Sequence, residues 1–171
     1  MKKFIAIVVS SVYLILTMCN IRPYALEVSA KACVMLEATS GNVIYSKNPD
    51  EVLPMASTTK IMTTLLCLES GDLDTPFVVD SEAIKVEGSS MGLVEGDIVT
   101  KRALCYGMLL PSGNDSANAT AVKVAGSIER FAELMNDRAK SIGMKNTLFV
   151  TPSGLDEGGH SSTAYDMAIL T

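Results

Sequence analysis

Histidine is almost missing from this chain: one residue, His160, in 171. A hydrolase built on a histidine base has only that side chain to use. No Cys-x-x-Cys pair accompanies it, so a structural zinc site lacks ligands. Basic residues are also scarce, at 14 against 19 acidic ones. Lys2, Lys3 and Arg22 fall in an apparent leader, and without them the formal charge is −8. Such a balance argues against nucleic acid or an anionic membrane surface as partner. No internal repeat or low-complexity linker interrupts the sequence. Four cysteines are present. Cys19 falls in the leader, and Cys33, Cys67 and Cys105 lie on apolar segments without metal-ligand spacing. They read as buried small hydrophobes, with one disulfide plus a free thiol as the alternative in a secreted chain.

Residues 1–25 read as a secretory signal. Lys2 and Lys3 precede an apolar run from Phe4 to Met18, and Ala25 and Ala30 are small-residue cleavage candidates. That run is short for a membrane span. Leu16-Thr17-Met18-Cys19 faintly resembles a lipoprotein box, with Met18 bulky for the position. The remaining 26–171 suits one domain with a real core.

Two β-rich runs within 31–46 flank the turn sequence Thr39-Ser40-Gly41-Asn42 and predict a hairpin. Asn48-Pro49-Asp50 is a loop. A helix from about Ser57 to Ser70 is apolar nearly all round, so it belongs inside the fold, with Gly71 at its carboxyl cap. Phe77-Val78-Val79, a short helical turn after Asp80 and Asp97-Ile98-Val99 follow. Further helices are predicted over Lys101–Leu110 with Thr100 as opener, Asp115–Val124, Ser127–Ile142 and from Ser161 to Leu170. Residues 147–160 read as loop, and His160 as one of its members.

Ser57-Thr58-Thr59-Lys60 offers a serine nucleophile and a lysine base. Residues three apart on a helix lie on one face with Cβ atoms ~5–6 Å apart, so Lys60 can reach Ser57. A lysine takes the serine proton only where burial and neighbouring positive charge favour its neutral form. The motif alone carries little, because 17 serines and 10 lysines give about one Ser-x-x-Lys by chance. A rival nucleophile lies in Gly88-Ser89-Ser90-Met91-Gly92, which matches Gly-x-Ser-x-Gly. That motif needs a strand before it and a helix after it, and Leu93-Val94-Glu95-Gly96-Asp97 starts a helix poorly. A glycine-rich loop is the preferred reading. Ser-x-Asn occurs four times, beginning at Ser40, Ser46, Ser112 and Ser116. Only Ser112-Gly113-Asn114, between two helices after Pro111, is placed to aim two side chains into a cleft.

Pro54 to Thr63, Ser89 to Leu93, Leu109 to Ala117, Thr151 to Asp156 and His160 to Met167 together resemble the low-molecular-mass penicillin-binding proteins, serine-type D-alanyl-D-alanine carboxypeptidases. The resemblance runs from about residue 29 to 171. It implies an α+β fold of the penicillin-binding protein and serine β-lactamase type, an antiparallel sheet beside a helical lobe. It implies peptidoglycan stem peptides ending in D-Ala-D-Ala as substrate, β-lactams as covalent inhibitors, and no metal or organic cofactor. Ser57 would attack the penultimate D-alanine carbonyl and Lys60 would take its proton. Ser112 would relay a proton to the leaving D-alanine, and Asn114 would bond the substrate amide or the surroundings of Lys60. The Ser57 N–H would be one oxyanion donor. The family's third motif, Lys-Thr-Gly, is absent from 1–171. The chain is therefore expected to be the N-terminal part of the catalytic domain, stopping before the later strands and inactive by itself. A serine β-lactamase, a penicillin-sensing domain and a non-catalytic wall-binding piece are the alternatives. Attachment to a membrane would come only through the leader or the later part of the protein.

Overall fold

The turn sequence at 39–42 folds the chain back on itself, as the β-rich runs on either side of it predict. A computed structural model describes residues 27–171. The expected leader at 1–25, Cys19 and the cleavage point at Ala25 lie outside the described residues. Strands β1 (Cys33–Leu36) and β2 (Val43–Lys47) pair antiparallel, with a register irregularity between Met35 and Leu36. The Glu37 carboxylate accepts from the amides of Thr39 and Ser40, and the Ser40 hydroxyl accepts from Asn42 N–H. Ser40 and Asn42 are thereby spent on the turn.

The next segment departs from expectation. Ser57 sits in a 3-10 turn, Ala56–Thr59, and the α-helix proper, α1, runs Lys60–Glu69. The amide and hydroxyl of Thr58 both bond the Met55 carbonyl, at 3.2 and 2.5 Å, which tightens the chain to three-residue spacing. Ala56 is left-handed, with φ 46°. Helix α1 is not evenly apolar in its burial. Lys60, Met62, Thr63, Thr64 and Cys67 are buried, Ile61, Leu65 and Leu66 are half-buried, and Leu68 faces solvent. Ser70 caps it and Gly71 follows with φ 64°.

Strands β3 (Phe77–Val78) and β4 (Ile98–Val99) make a second two-stranded ribbon. The short turn expected after Asp80 spans residues 81–84, opened by the Asp80 carboxylate accepting from the amides of Glu82 and Ala83, and it does not extend into a helix. Helix α2 (Lys101–Leu109) opens on Thr100, whose hydroxyl accepts from Ala103 N–H. Helix α3 (Asn114–Ala125) follows, and then α4 (Ile128–Ser141), capped by Ser127 on Arg130 N–H. Helix α5 (Ala164–Leu170) starts three residues later than expected. Ser161 and Ser162 are instead in β-bridges to Leu148 and Leu53, and Thr163 caps the helix.

Helix α1 packs against α2, α3 and α4, while α5 covers β1. The core is rich in thioethers: Met55, Met62, Met135 and Met144 pack with Phe131, Phe149, Ala121 and Leu170. A second cluster joins Cys67 and Cys105 to Met108 and Ala117. These two cysteines are buried as predicted, whereas Cys33 is half-buried; all three are free thiols.

Candidate active site

Two polar side chains three residues apart, Lys60 and Thr63, point from the buried face of α1 towards the 151–154 loop. Thr63 donates to Pro152 O at 2.6 Å and Lys60 to Ser153 O at 2.7 Å. Gly154 lets the loop come this close. Its φ is +89°, and a Cβ there would lie 2.0 Å from the Ala56 carbonyl oxygen and 2.9 Å from the Thr59 hydroxyl.

Lys60 is 2 % exposed. Its Nζ has three partners: Ser57 Oγ at 3.2 Å, Asn114 Oδ1 at 2.8 Å and Ser153 O at 2.7 Å. Two of these are pure acceptors. A neutral amine satisfies both with its two protons and leaves its lone pair for the Ser57 hydroxyl. Burial pushes the Lys60 ammonium below the usual lysine range. Among the described residues no carboxylate forms an ion pair with it. The site can thus hold a lysine that accepts a proton from a serine. The Ser57 amide has no acceptor among the described residues, so it is free to donate to an oxyanion.

Asn114, the first residue of α3, is fixed at both ends. Its Nδ2 donates to Glu87 O and its backbone N–H to Ser89 O, each at 2.7 Å. Of the two roles expected for Asn114, its position serves the surroundings of Lys60. Ser112 is half-buried, with φ 61° in the left-handed region, a strained setting for a residue with a side chain. Its hydroxyl makes no hydrogen bond among the described residues, and none joins it directly to Ser57 or Lys60. Gly113 between them has no room for a Cβ, which would meet Asp115 Oδ1 at 2.7 Å and Gly107 O at 2.9 Å.

The other Ser-x-Asn serines are elsewhere: Ser40 in the hairpin turn, Ser46 on β2, and Ser116 buried within α3. The Gly-x-Ser-x-Gly stretch is loop. Ser90 donates to Asp115 Oδ2 at 2.6 Å and accepts from Gly92 N–H. Its hydroxyl is committed, and His160 is bonded to Thr59 instead.

Two important residues were not flagged by sequence reasoning. Asp115 is buried and gathers the amides of Met91, Gly92, Leu93 and Ser116, so it holds the 89–93 loop against the start of α3. Burial raises its carboxyl; hydrogen bonds from Ser90, Leu93, Met91 and Ser116 outweigh this and hold it below the usual range. The signal for it was its place next to Asn114 in the first turn of a helix, where a carboxylate is favoured. His160 was placed in a loop, correctly, but it is 2 % exposed and lies under the Ser57 turn. Only the fold reveals the burial.

Residues 19–171 match the peptidase S11 family, described as D-alanyl-D-alanine carboxypeptidase. The chain is 42% identical over 146 residues to D-alanyl-D-alanine carboxypeptidase DacF of Bacillus subtilis (strain 168), covering 82% of this chain and 38% of that protein. It is 40% identical over 155 residues to DacC of Escherichia coli (strain K12), covering 84% of this chain and 39% of that protein. The crystal structure of the D-alanyl-D-alanine carboxypeptidase DacD from Francisella tularensis superposes with a TM-score of 0.82 at 39% identity, over 88% of this chain and 38% of that one. The chain thus spans about two fifths of the length of these relatives, and shares their mixed helix-and-sheet fold over that span. By sequence and fold alike, the chain belongs to the peptidase S11 family of D-alanyl-D-alanine carboxypeptidases.

Proposed function

We propose that the chain is the N-terminal part, 26–171, of the catalytic domain of a serine D-alanyl-D-alanine carboxypeptidase. The observation that carries this reading is the set of three partners around Lys60 Nζ, at 2.7–3.2 Å. Two fixed acceptors orient the amine so that its free position faces Ser57. Ser57 Oγ attacks the carbonyl of the penultimate D-alanine while Lys60 takes the hydroxyl proton. The peptide bond to the terminal D-alanine breaks as Ser112 relays a proton to its amine, and water then hydrolyses the acyl-enzyme. Asn114 keeps Lys60 in register and borders the substrate amide. The substrate is a peptidoglycan stem peptide ending in D-Ala-D-Ala, and β-lactams acylate the same hydroxyl. Residues 1–25 direct export, which places the enzyme outside the cytoplasm at the cell wall. No helix among the described residues is long and apolar enough to cross a membrane.

The test is covalent labelling of a polypeptide carrying the whole fold. Fluorescent penicillin is expected on the peptide containing Ser57, located by mass spectrometry, and absent from Ser57→Ala. Label on Ser89 or Ser90 would overturn the assignment.

A further inference from the structure

His160 is the only histidine in the chain, and the mechanism above does not use it. Its ring is wedged edge-on against Phe149, with centroids 5.9 Å apart. Both nitrogens are occupied. Nδ1 accepts the amide N–H of Val150 at 2.9 Å and that of Thr151 at 3.3 Å. Backbone amides can only donate, so Nδ1 carries the lone pair and the proton sits on Nε2. Nε2–H therefore donates to the Thr59 hydroxyl at 2.7 Å. Thr59 is fully buried, two residues after Ser57 and directly before Lys60. The amides held by Nδ1 begin the loop whose Ser153 carbonyl accepts from Lys60. One neutral imidazole thus touches both walls that fix the Lys60 amine: the turn it grows from and the loop it bonds.

Resting on the Ser57–Lys60 reading, we infer that His160, in its neutral Nε2–H form, is a positioning residue that sets the Ser57–Lys60 turn through Thr59. The imidazole touches neither Ser57 nor Lys60. Its effect is on how often the Ser57 hydroxyl and the Lys60 lone pair meet in reactive geometry, a quantity to which rates are steeply sensitive. The charged side chain that acts on it is Asp156, on its own loop; Glu157 meets it through the backbone, its carbonyl accepting the His160 amide at 2.8 Å. Burial lowers the ring's affinity for a second proton, and Asp156 works against that. A second proton would go on Nδ1 and turn the acceptor for Val150 into a donor facing another donor. Acid should therefore release the 150–153 loop and misalign the turn before it unfolds the chain.

The experiment uses the full-length protein and follows the rate of Ser57 acylation by fluorescent penicillin. His160→Asn can keep an acceptor for Val150 but is too short to reach Thr59. His160→Gln has the length to donate to Thr59, and Thr59→Val removes the hydroxyl while keeping the shape. Acylation is expected to fall roughly tenfold in His160→Asn and in Thr59→Val, the size of one lost buried hydrogen bond. It should recover in His160→Gln, and the double variant His160→Asn/Thr59→Val should be no slower than either single one. In 15N-histidine-labelled protein, the pair of ring signals that vanishes in His160→Gln belongs to His160. They should report protonated Nε2 and bare Nδ1, and their titration should coincide with an acid limb of acylation that is separate from the Lys60 limb and absent from His160→Gln. Wild-type acylation rates in folded His160→Asn and Thr59→Val, or a ring protonated on Nδ1, would overturn this inference and leave the nucleophile untouched. Absence of label from Ser57 in the unaltered protein would remove the nucleophile assignment and this inference with it.

Discussion

At its amino end, α1 holds a buried lysine among a hydroxyl, an amide oxygen and a carbonyl; at its carboxyl end it receives another from α2. Lys101 donates to Ser70 Oγ at 2.8 Å and to Gly71 O, just past the last turn of α1. Helix dipoles favour a cation at that carboxyl pole and disfavour one at the amino pole where Lys60 sits. The residue type, the burial and, among the described residues, the absence of an ion pair are the same at the two ends. What differs is the pole and the partners: Lys101 ties two helices together through Ser70 and Gly71, whereas Lys60 is placed where losing a proton is eased. A buried lysine is therefore a functional signal only after its surroundings are known.

Four changes would break or sharpen that contrast. The largest effect is expected at Lys60. Lys60→Ala should reduce Ser57 acylation by about a thousandfold or more, because members of one catalytic unit fail together; stopped-flow labelling measures it. In the unaltered protein the rate should climb with pH along a limb below 10.5, the ordinary lysine value, since burial lowers Lys60. The same shift has a stability consequence. The unfolded chain holds the lysine proton more readily, so the contribution of this site is complete above 10.5 and declines as pH falls towards the lower folded value.

Next comes Gly154→Ala. The added methyl must displace the Ala56 carbonyl and adopt a left-handed conformation that costs about 1–3 kcal/mol. Both a lower melting temperature and an acylation rate reduced roughly tenfold or more are expected, and an unchanged rate would show that the turn yields without harm to the site. Lys101→Met should separate the two poles. It strips donors from Ser70 and Gly71 at a cost of about 1–3 kcal/mol, visible in urea melts, while acylation per folded molecule stays the same.

Asp115→Asn tests the start of α3 and is the mildest. An amide presents N–H groups to amides that the carboxylate now accepts, so the 89–93 loop should loosen and acylation fall several-fold. The carboxyl of Asp115 is held below its ordinary value of 3.8. Its stabilising contribution is therefore present above that value and lost as pH falls below it. Melting curves of the two proteins should converge in acid, and curves that stay parallel would mean the charge is immaterial.

Sequence reasoning reached the residues whose contacts are local. Ser57 and Lys60 are three apart, so spacing alone predicts their meeting, and the opener at Thr100 follows from a hydroxyl just before a helical segment. Asn114 was found through a recognised motif rather than through geometry, since 54 positions separate it from Lys60. The Ser153 carbonyl was beyond reach. A backbone acceptor is common to every residue type, and only the fold says which one lies under Lys60. The tight 3-10 turn was missed because the Thr58–Met55 bonds that tighten it come from residue types equally at home in an α-helix, and α5 was started early because bridges to Leu53 and Leu148 leave no local trace. His160 shows the same limit, with its Thr59 partner 101 residues away.

The sulfur-rich interior gives the molecule a built-in clock. Met35 and Met91 are open to solvent, whereas Met62, Met108 and Met135 are sealed in the helical core. Peroxide converts a thioether to a polar sulfoxide only where it can reach it. Met35 and Met91 should be marked at once, and the sealed three only as fast as the helices part. The delay between the two groups, read by mass, would record how often the lobe behind Lys60 opens.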